Sequence, residues 1–387
     1  MTSPASVSAR SRPRPCASCA TRVVPTTCAA SSTSKPALPV RPDTPAPPRP
    51  ASPGVEPTPG KAAAAPGAFA VHLSCANRSG SVEHYYHFYF GFLVPLVLAC
   101  ERLQPRAEVA AIYVRSCAIM DEHLPRLGYS KLRVLPRSAH EALGETDTDA
   151  QGLPLKHLRV PGYDGPNAYR FGAIQTATAV LLERLGPAIA QEATTLPIAA
   201  DGSLKILMFN RQAPQAFYLS AEAEIPGAGT DRRSLPNFPE LLQRVRETYP
   251  ATIEMYPEDH SLAAQAAALR WADVVIGQHG AALGNMVLCD GPTALVEICP
   301  HDIADDSGPG KRHFLRLSRL YRMPYVHVAQ EHSHAPVAPE TILQAIDSLP
   351  RPSALRRLVW RAINRGRQLA WQLRYRPPSP SSSSVTG

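Results

Sequence analysis

The chain has 387 residues, 44% hydrophobic and 19% charged, with a formal net charge of +8. That length supports two ordinary domains with a sizeable core. The positive charge sits at the ends: five Arg and one Lys without an acid between Met1 and Pro42, and no Asp or Glu from Arg351 to Arg376. A near-neutral centre excludes the continuous basic groove of a nucleic-acid binder.

Residues 1–67 hold 15 of the 41 prolines and almost no large apolar side chain, so they are expected to be a disordered tail. The Ser-, Ala- and Arg-rich start also has the composition of an organelle transit segment, which stands as the alternative to a cytoplasmic chain. The eight cysteines, at 16, 19, 28, 75, 100, 117, 289 and 299, form no dense framework and read as reduced thiols. Cys16 and Cys19 make a CxxC with no second pair, which argues against a zinc site. The sequon at Asn77 matters only in a secreted chain.

A first Rossmann-like domain is expected over 68–200. Its first strand reads at 68–74, followed by a buried aromatic helix from about His84 to Leu103. The apolar core of that helix, Tyr85 to Cys100, contains Pro95 and is shorter than the roughly 20 residues that span a bilayer. Strands read at 107–116 and 131–136, with a helix over 120–129 between them. Residues 138–170 look irregular, and Asp147-Thr148-Asp149 reads as an exposed acidic loop. A long helix from about Ala168 to Ala190 closes the domain.

A second Rossmann-like domain is expected over 201–350. Strands read at 204–209, 252–257, 273–277 and 293–299, and helices at 237–249, with Asn237 as N-cap, at 261–272 and at 281–289. Residues 351–376 read as a basic amphipathic helix and 377–387 as a disordered tail. That helix could lie on an anionic membrane surface, placing the chain at the inner face of a membrane, or pack back across the domains. His327, His332 and His334 have no carboxylate at ligand spacing, so no metal is expected there.

In a doubly wound sheet, ligands sit beyond the carboxyl ends of the strands. The turn after the 273–277 strand lies there, and the N–H groups of Gly280, Ala281 and Ala282 would open a helix as an anion site suited to phosphate. The alternative is tight helix–strand packing. Glu297 ends the next strand, placed to bond ribose hydroxyls or to form a strand-end ion pair. His279 stands at the lip of the turn, where it bonds sugar or phosphate or caps the turn.

The wording of this segment resembles the glycosyltransferase family 61 signature, a strand of the type ADVVVG running into HGAGL, a small or polar residue and Asn, PPG, and VVE. The counterparts here are ADVVIG, HGAAL, GNM and CDGPTALVEI. Upstream, YYHFYFGFLVPL is similar to the family's FHW helix, and FNRQ followed by DRRSLPN to its SR, RR and NE stretch. The resemblance covers about residues 80–330. The chain departs from the pattern at Ala282, at Asn237-Phe238 and at the CDGP turn.

The resemblance implies an α/β, GT-B-like architecture, two Rossmann-like domains facing a cleft. It also implies an inverting transfer from a nucleotide sugar, a UDP-sugar being the expected donor, to a hydroxyl of a glycan or polysaccharide. The family takes in EGF-domain O-GlcNAc transferases, plant xylosyltransferases and bacterial capsular polysaccharide glycosyltransferases. Metal independence is expected, with no cofactor, the diphosphate being held by Arg211, Arg232 and Arg233. Asn285 is placed to contact the nucleotide or sugar, and His87 and His279 are the catalytic candidates. The general base stays open among Glu83, His87 and Asp164. A degenerate member that binds nucleotide or glycan without transfer is the alternative; the absence of GxGxxG after an early strand argues against a nicotinamide enzyme.

Overall fold

Short Val-, Ile- and Leu-rich runs form nine strands among the described residues, and their ladders are all parallel. The computed structural model describes residues 67–76, 81–163, 170–200, 202–301 and 313–374, all within one compact unit that starts at Ala62. The expected tail up to Pro66, the Cys16 and Cys19 pair, the Asn77 sequon, Asp164 and the tail at 377–387 lie outside the described residues.

The first sheet contains β1 (Phe69–Ala76), β2 (Val109–Arg115), β3 (Leu132–Leu135) and β4 (Leu155–Pro161) in the order β3-β2-β1-β4. The second contains β5 (Ile206–Phe209), β6 (Thr252–Met255), β7 (Val274–Gln278), β8 (Ala294–Pro300) and β9 (Tyr325–Gln330) in the order β6-β5-β7-β8-β9. Helices α1 (Val94–Leu103), α2 (Arg137–Leu143) and α3 (Phe171–Arg184) belong with the first sheet, while α4 (Gly186–Ala193) packs against the later helix Leu262–Trp271. Helices α5 (Phe238–Thr248), α6 (Leu262–Trp271), α7 (His313–Tyr321) and α8 (Pro339–Asp347) follow, then α9 (Ala354–Arg374).

Strand periodicity decides what each face of the second sheet buries. Ile206, Met208, Val274, Ile276, Val296 and Ile298 pack with Leu241 and Val245 of α5 and Ile342 and Ile346 of α8. Their neighbours Leu207, Phe209, Val275 and Leu295 point the other way, into a core shared with α6 and with the aromatic residues of the first half. Both faces are covered, which is why these strands read as continuous apolar runs rather than alternating ones. The fold is α/β of Rossmann-like type.

The aromatic helix carries a consequence of Pro95. Tyr85–His87 is α-helical, Phe88–Leu93 is a π-helical stretch, and α1 continues from Val94. In the π register the Phe90 carbonyl would receive the N–H of residue 95, which proline does not have. The Tyr163 N–H donates to it instead at 2.7 Å, tying the end of β4 to the helix.

Several local expectations are corrected. Residues 120–129 are two 3₁₀ turns, Ala118–His123 and Pro125–Leu127, because Pro125 interrupts the run and Gly128 ends it at φ 67°. The 138–170 stretch contains α2 and β4, an edge strand whose Lys156, His157 and Arg159 disguise it. The long helix is broken at Leu185, before Gly186-Pro187. Asn237 occupies the N-cap position without capping; its amide donates to Val337 O and accepts from Val337 N. Asp149 is buried and accepts from Tyr113 Oη and the N–H groups of Gln151 and Leu153, so it shapes a turn rather than an exposed acidic loop.

Candidate active site

The order β6-β5-β7 makes the gap between β5 and β7 a topological switch point, since the chain leaves β5 to one side and returns on the other. Ligands settle in such crevices outside the carboxyl ends. A cavity of about 230 Å³ lies there. Its walls come from segments that follow strands: His84 and Tyr85 after β1, Met120 and His123 after β2, Arg211 and Ala213 to Gln215 after β5, Glu258 and His260 after β6, and Gln278 and Ala281 to Leu283 at and after β7. Both sheets therefore present loop ends to one cavity.

Arg211 is the first residue of that crevice to be fixed. Asn210 bonds Glu254 and Tyr256 at 2.9 Å each, joining the end of β5 to β6, and accepts the Arg211 N–H. Nη2 of Arg211 then donates to the His279 carbonyl at 2.6 Å, and Nη1 of Arg233 donates to the same oxygen at 3.2 Å. The loop bearing Arg233 is anchored through Gln278, whose amide donates to Ser234 O, Ser333 O and Gln330 Oε1. Arg232 also lines the cavity.

The Arg211 guanidinium is lowered to about 10, by burial first and then by the charge of Arg233, with Glu258 opposing and Arg232 adding to the fall. Burial also pushes Glu258 up, toward its neutral form. Three guanidiniums thus converge on a cleft whose nearest carboxylate resists ionising. An anion bound there removes that imbalance.

The turn itself is a 3₁₀ helix, Ala281–Leu288, and not the α-helix expected, so it is wound more tightly and its hydrogen bonds are less well aligned. The N–H groups of Gly280, Ala281 and Ala282 nevertheless have no hydrogen-bond partner among the described residues. They provide three donors beside Arg211.

The His279 ring has partners of its own, distinct from the arginines on its carbonyl. Its Nδ1 meets Glu297 Oε1 at 2.5 Å, and the second oxygen of Glu297 accepts from Tyr325 Oη at 2.6 Å. The His279 ring lies edge-on to Phe314, with centroids 5.1 Å apart. His313 is held below its ordinary value by burial, then by the charges of His279, Arg316 and His87. Tyr86 Oη and His313 Nδ1 are 3.4 Å apart. The structure thus gathers the expected His279 and His87 around His313, which carries no local sequence signal.

A metal could be held where His279 Nδ1, Glu297 Oε1 and Cys299 Sγ lie within 4.8 Å of one another, the one such set among the described residues. The ligand types suit a borderline-soft divalent ion, which would have to displace the His279–Glu297 hydrogen bond.

The Glycosyltransferase 61 family model matches residues 85–296, more than half of the chain. The chain belongs to glycosyltransferase family 61. It is a glycosyltransferase, and the match contains the cavity arginines and the turn. No curated protein matches the chain.

Four further residues singled out in the sequence have defined surroundings. Asn285 is fully buried, and its amide donates to Gln265 Oε1 at 2.6 Å; Gln265 in turn bonds Pro257 O and His260 O. Through Gln265, which lines the cavity, Asn285 is tied to the cavity wall. Glu297 is 3% exposed, with its oxygens on His279 and Tyr325. Glu83 is buried and accepts the Glu224 N–H at 2.7 Å, which ties down the 216–226 loop. His87 flanks His313 and is not part of the cavity wall.

Proposed function

We propose that this glycosyltransferase moves a sugar from a nucleotide sugar, a UDP-sugar being the expected donor, to a hydroxyl of a glycan or polysaccharide acceptor, with inversion. The single observation that carries the reading is Arg211: a half-buried guanidinium with Arg232 and Arg233 beside it, at the switch point and against the open N–H groups of Gly280 to Ala282. The diphosphate sits against these groups, and the charge that develops on it as the glycosidic bond breaks is stabilised there. Three arginines supply that charge without a metal.

His279 is the base of this scheme. Glu297 holds Nδ1–H, which leaves Nε2 to take the acceptor's proton, a carboxylate-oriented imidazole of the kind that activates hydroxyls elsewhere. His87 and His313 contact the acceptor from the far side. In this scheme the segment 68–200 is the acceptor-side domain and 201–350 the donor-side domain, facing each other across the cavity in the GT-B manner.

A thermal-shift panel of UDP, GDP, CMP, ADP and NAD on the full chain tests the donor site. One nucleoside diphosphate should raise the midpoint, and Arg211→Met should abolish that shift. In the absence of nucleotide the same variant should be the more stable by about 1 kcal/mol, because an unbalanced charge has been removed. His279→Ala should keep the nucleotide shift and lose transfer, and the product's anomeric configuration, read by proton NMR, should be inverted. No shift with any nucleotide would remove the donor site and leave a glycan-binding role.

A further inference from the structure

Helix α9 is amphipathic with its faces reversed. Asn364 and Gln368 are 2% and 3% exposed, whereas Leu355, Leu358, Val359, Leu369 and Leu373 are 70%, 65%, 47%, 43% and 73% exposed. A helix docked on a globular surface ordinarily does the opposite.

The inward face is held by specific polar and aromatic contacts. Arg357 pairs with Asp273, and Arg361 with Asp290 at 2.7 Å. Trp360 Nε1 donates to Tyr321 O at 2.6 Å, and Arg367 donates to Leu320 O at 2.6 Å with its guanidinium 3.7 Å from the Phe171 ring centroid. These contacts fix the rotation of the helix about its axis. The outward leucines are thus set by the fold and not by a loose end.

Those leucines, with Ala362, recur at the three-and-four spacing of a single helix face, a stripe about 27 Å long. Arg356 stands on one flank of the stripe and Arg365 on the other, both exposed, and the helix has no Asp or Glu. An exposed apolar stripe of this extent marks an interaction surface. A soluble protein partner would have to bring acids to both flanks along the whole stripe. An anionic lipid surface offers negative charge on both sides at once, with acyl chains between.

We propose that α9 is a membrane-docking face: the protein lies on an anionic lipid surface through this stripe, with Arg356 and Arg365 at headgroup level. The docking is peripheral, since no helix among the described residues is long and apolar enough to cross a membrane. This reading is independent of the transferase scheme.

The test is co-sedimentation of the full chain with vesicles of phosphatidylcholine alone and of phosphatidylcholine mixed with phosphatidylglycerol. Binding should need the anionic lipid and weaken with salt. The combined variant Leu355→Gln, Leu358→Gln, Leu369→Gln, Leu373→Gln should lose binding by more than about tenfold, and Arg356→Gln and Arg365→Gln should each weaken it by about fivefold. Because these side chains are exposed, the variants should keep the parent's circular dichroism and nucleotide response. The proposal falls if anionic vesicles do not bind, if neutral vesicles bind equally, or if the leucine variant binds as well as the parent. It also falls if light scattering shows a dimer that the leucine variant converts to monomer, for then a second copy covers the stripe.

Discussion

Arg211 reaches its place only because residue 280 is glycine. The Gly280 backbone is extended, at φ 173°, so any residue could adopt it; the restriction is spatial, since a Cβ would overlap the Arg211 guanidinium. The obstructed atoms are the end of a flexible side chain, which moves aside more cheaply than backbone does. Gly280→Ala should therefore fold with a midpoint close to the parent's while nucleoside diphosphate affinity, measured by calorimetry, drops about 10- to 100-fold with the displaced charged hydrogen bonds. Unchanged affinity would mean that Arg211 does not contact the anion. His279, Arg211 and the small-residue turn were legible because they sit at strand ends within a recognisable run of residues. Tyr325 and His313 were not: Tyr325 faces Glu297 through the pairing of β8 with β9, and His313 is brought in by α7.

At the scale of elements, the docking of α9 turns on one close approach. A Cβ on Gly172, in the first turn of α3, would overlap the Trp371 side chain. Glycine to alanine within a helix ordinarily stabilises by about 1 kcal/mol, so a loss must come from that contact. Gly172→Ala should lower the thermal midpoint and speed amide exchange in 360–374 while β7 stays protected; a midpoint above the parent's would show that the contact is not holding the helix. The elements that could be read directly were those buried on both faces or with a single clear period, such as β2, β5, β7, α5 and α6. Strand β4 escaped because an edge strand alternates Leu155, Leu158 and Val160 with charged residues between two prolines. The 3₁₀ form of 281–288 escaped because an apolar run of eight residues suits either helix type, and packing against the aromatic helix chooses between them.

For the molecule as a whole, His72, His84, His123, His140 and His313 are all held below the ordinary 6.5, burial being the largest cause in each case. The unfolded chain takes up protons at these sites as pH falls through about 6.5, and the folded chain resists doing so. Their contribution to stability is thus complete above that value and lost as pH falls. Thermal midpoints should decline between about pH 7 and pH 5, before the carboxylates held below 4.5, such as Glu224, begin to protonate; a flat profile over that interval would contradict the burial of these rings. By itself the sequence determined the α/β class, the positions of most strands, the family, and the turn and arginines of the candidate site, because apolar periodicity and a contiguous motif are local properties. The tertiary structure alone decided which carboxylate meets His279, that Asn285 is buried against Gln265, that both sheets turn their loops to one cavity, and that α9 shows its leucines to solvent. Each of these depends on register, on strand order or on the rotation of one packed helix, and none of those is written in the spacing of neighbouring residues.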